Sequence, residues 1–165
     1  MLTNPSLAPT GSILYSNEFA EARQDSTTGH KSLHSTLYFN PGDVITSFRA
    51  GLVSTEATYL TIQIDTGKHI TLKPDCLAMV NHSCLPNCFF NTTSMELLCI
   101  RPIKPGDEFC FFYPSTEWEM AQPFKCFCGS SNCLHYISGA ADIKPAILEK
   151  YHLTDFIKKQ LGYRF

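Results

Sequence analysis

The seven residues Asn81-His82-Ser83-Cys84-Leu85-Pro86-Asn87 constrain this chain more than any other stretch. They lie between two apolar runs, Leu77-Ala78-Met79-Val80 and Phe89-Phe90. An amide or imidazole drawn into a core at such a place needs a hydrogen-bond partner, because burying it unpaired is costly. A polar heptad framed in this way reads as a site. Its other reading is an ordinary loop, in which Pro86 presets φ and Asn87 tolerates unusual dihedrals.

The rest of the chain limits what that site can belong to. At 165 residues it is of one-domain length with room for one sizeable core, and 44% hydrophobic with 17% charged residues reads as globular. Lys and Arg number 13 against 15 Asp and Glu, with no basic run, so sequence-independent nucleic-acid binding has no electrostatic basis and none is expected. The start, Met1-Leu2-Thr3-Asn4-Pro5, has no basic segment leading into an apolar one, and no stretch has the roughly 18 apolar residues of a membrane span. The expectation is a soluble, intracellular, monomeric protein, with nucleus or cytoplasm left open. Eight cysteines in such a compartment point to a metal rather than disulfides.

Short strands and turns dominate the pattern. Ser12 to Tyr15 is a candidate strand, Ser26 to Gly29 a turn, Asn40-Pro41-Gly42-Asp43 a strong turn, and Val44 to Phe48 a strand. Thr58 to Asp65 alternates with period two and predicts one arm of a hairpin whose other arm is His69 to Leu72. Phe89-Phe90 and Leu97 to Ile100 predict two strands joined at Asn91 to Ser94, and Glu108 to Tyr113 a further strand after the turn at Lys104 to Asp107. Pro145 to Tyr151 and Thr154 to Gly162 predict two short helices, the second capped by Thr154 and stopped by Gly162. Cys126, Cys128 and Cys133 place three thiols within eight residues, one short of a tetrahedral zinc site. Cys88 and His135 are possible completions, and three reduced thiols in a loop are the alternative. Cys76, Cys99 and Cys110 sit in apolar runs and read as small core residues.

The heptad resembles the Asn-His-X-Cys-X-Pro-Asn signature of the SET-domain protein-lysine methyltransferases. Ile103 to Tyr113 resembles that family's second signature, a strand after a Pro-Gly turn that ends on the active-site tyrosine. Cys126-Phe127-Cys128-Gly129-Ser130-Ser131-Asn132-Cys133 resembles its post-SET motif. The resemblance covers roughly residues 29 to 140. It implies a mostly β fold of small antiparallel sheets with short helices, a knot-like active-site core and a zinc-stapled post-SET segment. The implied division is an N-terminal extension over 1–28, a SET domain over 29–120, a post-SET zinc segment over 121–140 and a C-terminal helical extension over 141–165.

By the same resemblance the chain is an S-adenosylmethionine-dependent methyltransferase acting on a lysine amine of a protein. Tyr113 is then the catalytic residue, and Gly29, Lys31, Asn81, His82 and Phe127 bind the cofactor, with Phe124 an alternative to Phe127. Phe111 and Tyr59 line the substrate channel, and Cys84 joins Cys126, Cys128 and Cys133 around Zn2+. The chain departs from the family at several places. His30 and Ser32 stand near the positions of two cofactor-facing glycines, Ala78 stands where many members have arginine, and Phe112 replaces an acidic residue before the tyrosine. The segment before the heptad is too short for a multi-helix insert. A small-molecule acceptor, with or without methyl transfer, is therefore a second reading. A non-catalytic zinc-containing binding module is a third. Outside the resemblance, a tyrosine ending an apolar strand, as Tyr113 does, reads as half-buried packing.

Overall fold

The computed structural model describes residues 11–162. The described residues begin with three antiparallel strands, β1 (Gly11–Ser16), β2 (Ala20–Asp25) and β3 (Lys31–Ser35), in that order in one sheet. The turn at residues 26–29 joins β2 to β3, and Asp25 Oδ1 accepts from the backbone N–H groups of Thr27 and Thr28. Gly29 closes the turn at φ +72°, a left-handed conformation that a Cβ disfavours. The expected division between residues 28 and 29 thus falls inside a paired hairpin whose Ala20, Ala22 and Leu33 are fully buried together.

Four strands follow: β4 (Val44–Ser47), β5 (Arg49–Ser54), β6 (Ile62–Asp65) and β7 (Lys68–Lys73). β7 is the centre of a second sheet, flanked by β5 and β6. The hairpin is shorter than its alternating sequence predicts, because residues 58–61 form a turn instead. Thr61 N–H donates to Thr58 O at 3.3 Å and Thr58 N–H to Thr61 Oγ1 at 2.9 Å, so the hydroxyls satisfy the backbone locally where a strand partner was expected.

β8 (Asn81–His82), β9 (Cys88–Asn91), β10 (Glu96–Cys99) and β11 (Cys110–Phe111) surround the heptad. β10 pairs with both β4 and β9, all antiparallel, which agrees with the expected hairpin around 91–94. β11 pairs with β8 in parallel, the one departure from small antiparallel sheets in the described structure. The strand expected over Glu108 to Tyr113 is confined to Cys110 and Phe111, because its partner is only two residues long. The chain then turns through a short 3₁₀ segment at Tyr113–Ser115. β12 (Phe124–Lys125) and β13 (Tyr136–Ile137) pair around the cysteine-rich loop.

The last described elements are two helices, α1 (Pro145–Leu148) and α2 (Asp155–Gln160). Thr154 caps α2 as expected, its hydroxyl accepting from Ile157 N–H at 3.3 Å. Leu148, Leu153, Phe156 and Ile157 form a second apolar cluster with Phe112 and Ala140, separate from the main core under the sheets. Phe112 stacks flat on Tyr151, with ring centroids 3.7 Å apart and 6° between planes. That packing accounts for an apolar residue just before Tyr113. No helix among the described residues is long and apolar enough to cross a membrane.

Candidate active site and metal centre

The two Asn residues of the heptad do different work. Asn87 fastens the heptad to β11: its Nδ2 donates to Glu108 O at 2.8 Å and its Oδ1 accepts from Cys110 N–H at 2.9 Å. Asn81 faces the other way. Its Nδ2 lies 2.8 Å from Lys31 O, 2.9 Å from Glu108 Oε1 and 3.0 Å from His30 Nε2. All three can accept, which leaves Asn81 Oδ1 as the group it can offer a ligand.

His82 and Tyr113 are joined through the parallel pair. Tyr113 N–H donates to His82 Nδ1 at 3.2 Å, which puts the remaining ring hydrogen on Nε2, 3.4 Å from Cys84 Sγ. Burial pushes the His82 pKa down to about 4, so the ring is neutral. Both nitrogens are thus engaged within the chain. The ring packs edge-on against Tyr113 and Phe124 at 5.2 and 5.6 Å. Burial, with the charges of Glu108 and Glu117, raises the Tyr113 phenol to about 12, so it stays protonated.

These groups open onto a cavity of about 810 Å³, a size suited to a cofactor together with part of a substrate. Asn81, His82, Phe111, Tyr113, Tyr59 and Phe127 all line it. Phe111 is buried with its ring 4.7 Å from that of Tyr113, whereas Tyr59 is 77% exposed and Phe127 88%, so both lie at the rim. Phe124 packs against Tyr113 at 5.8 Å and forms a wall. Gly29 and Lys31 do not line the cavity. Gly29 serves the β2–β3 turn, and Lys31 is tied to the site through its carbonyl oxygen only. His30, at one of the missing glycine positions, does line it.

Glu117 belongs to the site as well, although no motif in the sequence marks it. It is 7% exposed on the cavity wall, and its Oε1 accepts from Thr116 Oγ1 at 2.9 Å and from Gln63 N–H at 3.1 Å. Burial raises its carboxyl to about 7, against the hydrogen bonds from Thr116 and Gln63 that favour the anion. Its sequence signal is no more than an acid four residues after Tyr113.

Cys84, Cys126, Cys128 and Cys133 bring their sulfurs within 4.8 Å of one another, the one such group among the described residues. Four thiolates at ~2.3 Å from a tetrahedral zinc stand about 3.8 Å apart, and Cys84 and Cys126 are already at 3.9 Å. Backbone N–H groups of Leu134 and His135 donate to Cys84 Sγ and Cys133 Sγ at 3.3 and 3.4 Å, as suits sulfurs that carry negative charge. Burial opposes ionisation of Cys128, but hydrogen bonds from Ser130 outweigh it and bring that thiol to about 6. The donor set fits a metal. Cys88 does not take part: it is buried in the main core and donates to Cys110 O at 3.2 Å. His135 is exposed and contributes its backbone alone.

A cavity with Asn81 and Tyr113 on its wall, beside four clustered thiols and a parallel pair of two-residue strands, defines a known class. Residues 9–114 match the model of the SET domain, and the chain belongs to the SET-domain family. It is 39% identical over 133 residues to the methyltransferase flvH of Aspergillus flavus, an alignment covering 79% of this chain and 74% of that protein. It is 28% identical over 142 residues to the H3 lysine-36-specific histone-lysine N-methyltransferase of Debaryomyces hansenii, covering 78% of this chain but 19% of that protein. To the histone-lysine N-methyltransferase set9 of Schizosaccharomyces pombe it is 43% identical over 53 residues, 31% of this chain and 12% of that one.

Proposed function

We propose that the protein transfers a methyl group from S-adenosylmethionine to an amine, foremost a lysine side chain of a protein. The observation that carries this is the cavity itself: Asn81 and Tyr113 line it together, Glu108 and Glu117 bring carboxyl groups to it, and among the described lining residues there is neither Lys nor Arg. Such a site attracts cations, and both a sulfonium and an ammonium are cations. The cofactor supplies an electrophilic methyl group on positively charged sulfur. Asn81 presents an acceptor to the cofactor's amino group, and exposed Phe127 is free to cover its adenine. Tyr113, held protonated, orients the acceptor nitrogen, while Phe111 and Phe124 exclude water. Zn2+ in the four-cysteine cluster pins the loop bearing Phe127 and Cys128 to the heptad through Cys84.

A small-molecule amine is the second reading. The segment before the heptad is a turn and a hairpin, residues 58–73, which leaves little surface to grip a peptide. Calorimetric titration with S-adenosylmethionine and S-adenosylhomocysteine tests the cofactor. Binding is expected in wild type and Tyr113→Phe and not in Asn81→Ala. Methyl transfer to protein mixtures or to amine-containing extracts then assigns the acceptor, and is lost in Tyr113→Phe. A zinc-loaded wild type that binds neither cofactor form overturns the methyltransferase reading and favours a binding module.

A further inference from the structure

The reaction as outlined leaves Glu117 without a task. A buried carboxylate is costly unless a cation meets it. The chain places none there: the described ion pairs are Arg23–Glu21, Lys73–Asp75 and Lys158–Asp155, none of which includes a residue that lines the cavity. Both hydrogen bonds of Glu117 fall on Oε1, so Oε2 is the oxygen it can offer a ligand. Glu117 lines the same cavity as Tyr113, and a main-chain bond from Glu117 N–H to Tyr113 O at 3.1 Å ties the two backbones together.

We propose that Glu117 binds the acceptor amine as its ammonium ion beside Tyr113 and takes its proton before methyl transfer. The inference rests on the methyltransferase reading of the same cavity and names the acceptor as an alkylammonium. In the step, an N–H bond of R–NH3+ breaks and its proton bonds to the Glu117 carboxylate. This leaves R–NH2 with a free lone pair and a neutral carboxylic acid. The lone pair then forms the N–C bond to the methyl carbon, and the electrons of the breaking C–S bond stay on sulfur, giving R–NH2+–CH3 and a thioether.

Glu108 has a carboxylate oxygen to offer as well, but it is exposed to water, whereas Glu117 is buried; the remaining groups on the wall are held by other contacts. Glu108 Oε1 and His30 Nε2 face the Asn81 amide, both His82 nitrogens are engaged, Tyr113 is protonated, and Cys126 and Cys128 belong to the metal cluster. Proton transfer from a free ammonium to a free carboxylic acid's anion is strongly uphill in water, with side-chain values near 10.4 and 4.3. Burial narrows the gap from both ends, raising the acid to about 7 in the cation-free site and lowering the amine, while the attraction between the paired charges widens it again, so the carboxyl signal of the bound state is what decides the transfer.

The test uses the zinc-loaded full chain at pH 8.5, with n-butylammonium as probe and n-butanol as its neutral counterpart, each titrated with and without S-adenosylhomocysteine. Glu117→Gln is expected to weaken butylammonium binding at least tenfold and leave butanol and S-adenosylhomocysteine unchanged. Equal butylammonium affinity in both proteins overturns the proposal. In wild type labelled with 13C at glutamate carboxyls, butylammonium is expected to move the Glu117 signal towards the protonated-acid position, and butanol to leave it in place. A signal that stays at the carboxylate position overturns the proton transfer, whatever the variant does. If S-adenosylhomocysteine fails to bind wild type, the methyltransferase reading falls, and the cofactor-free titration still decides whether Glu117 is an ammonium site.

Discussion

Replacing Glu117 with glutamine is expected to stabilise the fold at alkaline pH and to leave it unchanged at acid pH. Folding raises this carboxyl from 4.5 to about 7. The neutral form is therefore favoured in the folded state. Its contribution is complete below the unfolded value, and it is lost as pH rises through the folded one. Two and a half pH units at ~1.4 kcal/mol each give about 3.5 kcal/mol as the full penalty of the ionised group. Glutamine is neutral throughout, and its Oε1 can accept the same bonds from Thr116 Oγ1 and Gln63 N–H. At this chain length ~1 kcal/mol moves Tm by about 2–4 °C, so Glu117→Gln should melt roughly 10 °C above wild type at pH 8.5 and close to it at pH 5. Urea or thermal unfolding of both zinc-loaded proteins across that range provides the measurement, and taking the difference between them cancels other titrating groups. A gap of constant size at every pH refutes the reasoning, because it would mean that burial does not raise the pH at which this carboxyl ionises.

Other expectations concern the metal and the tail. Cys84→Ser should lower the zinc content below one per chain and destabilise the protein by about 3 kcal/mol or more, read by metal analysis and melting; unaltered zinc content would remove Cys84 from the site. At Gly139 an added Cβ would overlap the Trp118 carbonyl, so Gly139→Ala should cost at least ~2 kcal/mol, measured by urea unfolding, whereas alanine at Gly67, where nothing crowds a Cβ, meets only the cost of its positive φ. Tyr151→Phe removes the hydroxyl that donates to Cys84 O at 2.9 Å but keeps the stack on Phe112, and should cost about 1 kcal/mol, with zinc retained.

The parts of the fold legible in sequence were those with local causes. The turn at 40–43, the β9–β10 hairpin and the Thr154 cap follow from residue types a few positions apart. The heptad was legible because polar residues between apolar runs need partners, and the partners proved to be distant: Lys31, Glu108, Cys110 and Tyr113. Distance is also why the rest was hidden. Thr58 to Thr61 alternates like a strand, and only the threonine hydroxyls decide for a turn. No local pattern distinguishes Cys84 from Cys88, which end in a thiol cluster and in the main core respectively. Glu117 looks like any surface acid until Gln63, 54 positions earlier, is folded against it.

The carbonyl oxygen of Cys84 accepts from Asn132 Nδ2 at 2.7 Å and from Tyr151 Oη at 2.9 Å, while the sulfur of the same residue faces three other cysteines. Two separated segments, the cysteine loop and the tail, are thereby read by one residue, and a change in either alters the environment the other meets. Substitutions at 132 and 151 should be epistatic, with a double variant deviating from the sum of the singles. Over evolutionary time the tail and the cysteine loop are then constrained to drift as a pair, which would tie the history of the last twenty residues to that of the heptad rather than to that of a free surface.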